Sequence, residues 1–241
     1  MNDYDSPQIF DGAVIQDEAA VSRFVSNVFS WMVAGLLLTG VVAYYFAVSG
    51  AWSLLISASG GMSLIGWVAL LSPFGFILAM NMGIERWSAG AIVALFLGFA
   101  AVMGISLSSI FLIYAGTTIF QVFGITSLTF LVMAIVGYTT KQDLTSFGQL
   151  MFMALIGIIL ASVVNWFLAS AALDYIISIV GVLVFVGLIA YDTQKVKRIG
   201  AGVEYGTASA TKLAILGATA LYLDFVNLFL FLLRLFGGRR D

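Results

Sequence analysis

The chain of 241 residues contains no cysteine and no histidine. Without cysteine there is no disulfide, no thiolate-ligated zinc or iron–sulfur centre and no thiol nucleophile. Without histidine, Ser–His and Cys–His catalysis and imidazole-ligated metals are excluded as well. Charge is scarce: Lys and Arg number 10, Asp and Glu 12, together 9% of the chain, against about 25% in an average soluble domain. With 62% hydrophobic residues and a mean hydropathy of +1.10, neither a water-soluble surface nor disorder is tenable. A net charge of −2 supplies no basic field, so nucleic acid is not an expected partner. What is present is apolar sequence in long runs, and the composition is that of an integral membrane protein whose main partner is the lipid bilayer.

The positions of the charges divide the chain. No charged residue occurs between Arg23 and Glu85, between Arg86 and Lys141, or between Asp143 and Asp174. A spanning helix takes about 20 apolar residues, so each of the first two stretches holds two spans. Glycine and polar punctuation near Ser49–Ser53 and Gly116–Thr118 marks the breaks. The expected helices are 24–48, 54–82, 88–113, 118–138, 147–169, 174–194 and 211–236. The alternation of a membrane barrel is missing, so the expected fold is an all-α, seven-helix transmembrane domain over residues 23–241. Residues 1–22 read as a polar tail carrying Asp3, Asp5, Asp11, Asp17 and Glu18. Its sign is wrong for a secretory signal, and the following apolar run is too long for one, so it is expected to stay in the protein.

Orientation follows from the basic residues. With seven spans, the N-terminal side carries Arg23, Arg86, Lys141, Lys195, Lys197, Arg198 and Lys212, and the opposite side only Arg234, Arg239 and Arg240. That imbalance predicts a cytoplasmic N-terminus in an inner (plasma) membrane. An even number of spans would gather all the basic residues on one side, but 213–236 is a full-length apolar segment.

Most polar features have structural explanations. Small residues four apart (Ala100 and Gly104, Gly157 and Ala161) let helices approach closely. Trp and Tyr near segment ends read as interfacial anchors, Asp143 and Asp174 as helix caps, and Asn165 as interhelical glue. Asp224 is different, because it lies midway along the last apolar segment. A carboxylate there costs at least ~2.5–3.5 kcal/mol and normally faces the bundle interior or water. At helical spacing Gly217, Ala220, Asp224, Asn227, Phe231 and Arg234 share one face, so the last helix is expected to be wrapped by protein. Asp224 is then either a functional group or a protonated structural one.

A second acid, Asp192, ends the sixth span. Alone it reads as an interfacial residue beside Lys195. Consecutive helices are usually neighbours, so the two acids can meet if the sixth helix continues towards Arg198 or the seventh begins in the cytoplasm. Two carboxylates about 4 Å apart repel by about 4 kcal/mol at an effective dielectric near 20. Such a pair would share one proton, lose it in alkali as a coupled unit, and then offer oxygens to a hard divalent cation.

Gly187-Leu-Ile-Ala-Tyr-Asp192-Thr-Gln-Lys-Val-Lys197 and Leu221-Tyr-Leu-Asp224-Phe-Val-Asn-Leu-Phe-Leu-Phe-Leu-Leu-Arg234 resemble the hallmark segments of the Bax inhibitor-1 (TMBIM) family. Gly137-Tyr-Thr-Thr-Lys141-Gln-Asp143-Leu and Gly104-Ile-Ser-Leu-Ser-Ser-Ile are similar to its prokaryotic branch. The resemblance runs from about residue 22 to the end. It implies seven helices with the last surrounded by the other six, and a pH-sensitive calcium leak. It also implies that Asp192 and Asp224 form a hydrogen-bonded pair, a proton sensor at which calcium binds transiently. A basic residue at the end of the second helix, here Arg86, would latch the sixth-helix acid, while Asn227 and Arg234 supply the supporting polar face read from helical spacing. No resident cofactor is implied. A further acid that some relatives carry in the second helix is missing here.

Two other readings compete. Intramembrane aspartyl proteases also place two Asp on adjacent helices, but they need Gly-x-Gly-Asp where this chain has Leu221-Tyr-Leu-Asp224, and their Pro-Ala-Leu element is missing. An enzyme is therefore not expected, and a retinal Schiff base fails for want of a lysine deep in the last helix. A non-transporting regulator that binds a membrane protease or another channel remains the alternative to a leak, with membrane proteins rather than ions as its partners.

Overall fold

A computed structural model describes residues 18–57 and 61–237 of the chain, and among them every extended element is helical. The helices are α1 (Glu18–Val48), α2 (Leu64–Gly83), α3 (Ala89–Leu107), the single turn α4 (Ile110–Ile113), α5 (Gly116–Thr139), α6 (Thr145–Leu168), α7 (Ala171–Ala201) and α8 (Ala208–Phe236). With α3 and α4 taken as one segment, seven are long and apolar enough to cross a membrane. The chain is thus an all-α integral membrane protein.

Local chemistry sets the ends. Ser63, Ser88, Ser170 and Thr207 each accept a hydrogen bond from a backbone N–H three residues on, satisfying one of the free donors of a helix N-terminus. Three boundaries differ most from expectation, one being the end of α7 at Ala201 rather than near 194. The first helix begins at Glu18, within the stretch read as tail, because an acid in the first turn suits the positive end of the helix dipole. The remaining tail acids, from Asp3 to Asp17, lie outside the described residues, as do Arg239 and Arg240.

The second helix begins at Leu64 rather than near 54. A 3₁₀ turn over Ala51–Leu55 follows Gly50, whose φ of 76° favours glycine. An antiparallel bridge between Ile56 and Met62 then returns the chain. Pro73 lies inside α2, where it cannot donate to the carbonyl of Ala69. Ser106 of α3 donates to that carbonyl instead, at 2.7 Å, which keeps it satisfied in a setting without water.

The helices are arranged around α8. Its most apolar 18-residue window is 67% buried, against 44% for α7 and 11% for α6. It packs against α1, α2, α3, α5 and α7, whereas α6 packs chiefly on α7. Five helices therefore enclose the last one, and the expected ring of six is broken because α6 lies outside α7. Gly104 brings α3 against Thr39 and Val42 of α1, where an added Cβ would come within 3 Å of both. Gly157 meets nothing within 4 Å, so this member of the second small-residue pair serves no close approach.

Candidate functional site

α7 runs past Arg198 to Ala201, and α8 starts at Ala208, which meets the depth condition for the two acids. The helices are antiparallel neighbours, and in each the Cα–Cβ bonds tilt towards that helix's own N-terminus. The side chains of Asp192 and Asp224 accordingly lean towards one another, and the two carboxyl groups are close enough to interact. A carboxylate only accepts hydrogen bonds, so a hydrogen bond between the two would need one of them to carry a proton. Asp224 is 5% exposed, and its Oδ2 has no hydrogen-bond partner. Asp192 is half-buried, and the positive charge that acts on it is Lys195. The hydroxyl of the adjacent Thr193 is also buried without a partner.

The other expected site residues sit elsewhere. Arg86 is exposed on the turn after α2 and, among the described residues, forms no ion pair, so Asp192 and Arg86 are not brought together. The indole of Trp87 folds back over Gly83 and closes the end of α2. The cation that binds this end is Lys212 of α8, which donates to the carbonyl of Ile84 at 2.8 Å. Asn227 donates to Leu223 of its own helix at 2.8 Å. Arg234 lies 4.0 Å from Asp174 and over the ring of Phe231.

The face marked out by Gly217, Asp224, Phe231 and Arg234 is real, and it is the seam with α7. Gly217 takes Val196, Gly181 takes the Phe231 ring, and Arg234 reaches Asp174. Asp174 is therefore an ion-pair partner, while Ser170 is the cap. Asn165 accepts from the backbone of Ser170 at 3.1 Å and closes the end of α6, a local role instead of an interhelical one.

Several contacts around the site carry no signature in the sequence. Gln194, two residues beyond Asp192, accepts from Leu144 N at 2.9 Å and donates to Gln142 O at 2.7 Å. Lys197 donates to Tyr138 O at 2.9 Å. Arg198 binds both Asp143 at 3.2 Å and Thr145 at 2.9 Å. Hydrogen bonds from Thr145, with the Arg198 charge behind them, hold the Asp143 carboxyl below the usual carboxylate range. These contacts tie the end of α7 to the α5–α6 turn. On the far side of α8, Thr39 donates to Ala100 O at 2.8 Å and pairs with the Tyr222 hydroxyl at 2.7 Å.

Chemically, the acid pair can hold and release a proton, and its oxygens suit a hard cation. Among the described residues there is no cluster of three acids. Two carboxylates make a site of passage better than a site of residence.

The family described as "Inhibitor of apoptosis-promoting Bax1" matches residues 21–241. Inner membrane protein YbhL of Escherichia coli (strain K12) is 44% identical over 229 residues, covering 95% of this chain and 97% of its own. An uncharacterized protein of Borreliella burgdorferi is 41% identical over 220 residues, covering 91% and 94%. Uncharacterized protein RP147 of Rickettsia prowazekii is 41% identical over 228 residues, covering 93% of each.

Proposed function

Since the chain belongs to the Bax inhibitor family of membrane proteins, we propose that it is a pH-sensitive calcium leak of the inner membrane, gated by Asp192 and Asp224. The single observation that supports this reading is the contact between the two carboxyl groups across the α7–α8 seam, one of them buried. A shared proton removes the repulsion and holds the seam closed. Its loss leaves two charges that repel by several kcal/mol in a low-dielectric setting, which drives α7 from α8 and bares carboxylate oxygens to a divalent ion. Acid therefore closes and alkali opens. Calcium competes with the proton, so calcium promotes its release. The membrane assignment follows the Escherichia coli relative, an inner membrane protein, and the cytoplasmic N-terminus follows the excess of basic residues on that side.

Calcium flux into liposomes containing the purified protein would be followed from about pH 5 to pH 9, where a shared carboxyl proton titrates. The wild type should show a sigmoidal rise with pH. Asp224→Asn and Asp192→Asn should each abolish the coupled transition or move its midpoint by about one pH unit or more, because a single acid lacks the repulsion. A wild-type profile retained in both variants would overturn the reading. Because flux is measured with no other protein present, its complete absence favours the regulator alternative.

A further inference from the structure

A cavity of about 700 Å³ opens at the end of the bundle that carries the start of α1, bounded by the α5–α6 turn and the last turns of α7. Its walls include Lys141, Lys197 and Arg198, together with the acids Glu18 and Asp143. The charges do not cancel. Asp143 is already engaged by Arg198 and by the hydroxyl and backbone N–H of Thr145. That leaves Glu18 alone against two lysines, and among the described residues neither Lys141 nor Lys197 has a carboxylate within ion-pair distance.

Lys197 spends one of its three donors on Tyr138 O, with its ammonium held over the Tyr138 ring at 4.7 Å, so two donors remain on an already ordered side chain. The turn itself is pre-set: Gln194 holds Gln142 and Leu144 by their backbone, and the Thr140 hydroxyl accepts from Gln142 N. A ligand entering this cavity meets the ordered Lys197 ammonium and the Arg198 guanidinium already held by Asp143 and Thr145, so part of the ordering cost is already met.

We propose that this cavity binds a phosphate-bearing anion through Lys141, Lys197 and Arg198, with the headgroup of an anionic phospholipid as its source. The chemistry is common to a lipid phosphate and a soluble one: a compact anion met by ammonium groups and a guanidinium. The surroundings favour the lipid. α5 and α6 are joined by a short turn, yet α5 packs on α7 and α8 and α6 chiefly on α7, so apolar surface beside the cavity is left uncovered by protein. Val136, Phe147 and Leu150, close to the turn, are exposed, and acyl chains would lie on such apolar surface. Basic pockets between helix ends at the membrane surface are a recurrent place for acidic headgroups. Nothing in this inference depends on the acid pair.

Full-length protein in a mild detergent would be titrated calorimetrically with short-chain phosphatidylglycerol, short-chain phosphatidylcholine and inorganic phosphate. Phosphatidylglycerol should bind about tenfold tighter than phosphatidylcholine at low salt, and the preference should shrink at high salt. Lys141→Gln combined with Lys197→Gln should weaken phosphatidylglycerol about fivefold or more while leaving phosphatidylcholine unchanged. Lys141→Gln alone touches no packed group and should give about a threefold loss, which keeps the test open if the double variant misfolds. Inorganic phosphate binding that is lost in the variants, without a lipid preference, would support the anion site with a soluble source. Equal affinities of wild type and Lys141→Gln for both anionic probes would overturn the proposal.

Discussion

Tyr222 is the largest wholly buried side chain of the bundle, and it sits two residues before Asp224. Its ring packs edge-on against Phe99 at 5.1 Å and against Phe96 at 6.5 Å. The Thr39 hydroxyl has a single proton, which goes to Ala100 O, so Tyr222 must be the donor to Thr39. One hydroxyl thereby links α1, α3 and α8 in a region with no water to substitute. Tyr222→Phe keeps the ring and removes the donor, so it should cost about 1–2 kcal/mol. In a chain of this size that is a fall of roughly 2–8 °C in Tm, measurable by thermal unfolding in detergent. An unchanged Tm would mean that the bond contributes nothing to stability.

The same residue marks the limit of what can be read from sequence. Asp224 was legible because a carboxylate in hydrocarbon is expensive and needs an explanation. Tyr222, Gln194 and Lys197 were not, because a tyrosine among apolar residues or a lysine near a helix end is ordinary. Their partners are also main-chain or hydroxyl groups more than 49 positions away. The family resemblance points to Arg86 at the end of the second helix, but Lys212 also lies at a helix end, and only the fold shows which of the two binds there.

Between elements, closeness of approach is set by a few glycines, and they are not equivalent. The Cα of Gly137 on α5 lies against the backbone of Ala190 on α7, so that a Cβ would collide with the Ala190 carbonyl, while one at Gly157 on α6 would meet nothing. Backbone cannot swing aside as a side chain can. Gly137→Ala should therefore force α5 from α7 and destabilise by about 1–3 kcal/mol. Gly157→Ala should be neutral or stabilising by up to about 1 kcal/mol through helix propensity. Thermal melts of the two single variants decide it, and similar shifts would sink the account.

Spacing marks Gly157, with Ala161, as a candidate for close packing and is silent on Gly137, since periodicity does not say which face of a helix looks at lipid. Charge gaps fail in a related way at α2. Residues 49–63 carry no charge, so a turn and bridge outside the helix look the same as a helix until Gly50, Ser63 and the Leu55 carbonyl against Gly66 are seen together.

On the scale of the whole molecule, the seven crossings put the two ends of the chain on opposite sides. The side on which α1 begins also holds the α2–α3, α5–α6 and α7–α8 turns, and three of its cations are bound into the structure there: Lys212 on Ile84, Lys197 on Tyr138, Arg198 on Asp143. At the far end, among the described residues, Asp174 and Arg234 face each other. A bundle knitted by charge at one end and held at the other by one long ion pair should hinge about its knitted end. Seven against three basic residues predicts that this end faces the cytoplasm. A reporter fused after Asp241 should then be active outside the cytoplasm, and one inserted in the 139–146 turn should be active inside. Activity of both on one side would mean that α8 does not cross. A non-crossing α8 would set Asp224 in a re-entrant segment and remove the buried seam on which the gating argument stands. Opposite sides with the signs exchanged would leave the fold intact and place the acid pair nearer the outer face, so that external rather than cytoplasmic pH would govern the leak.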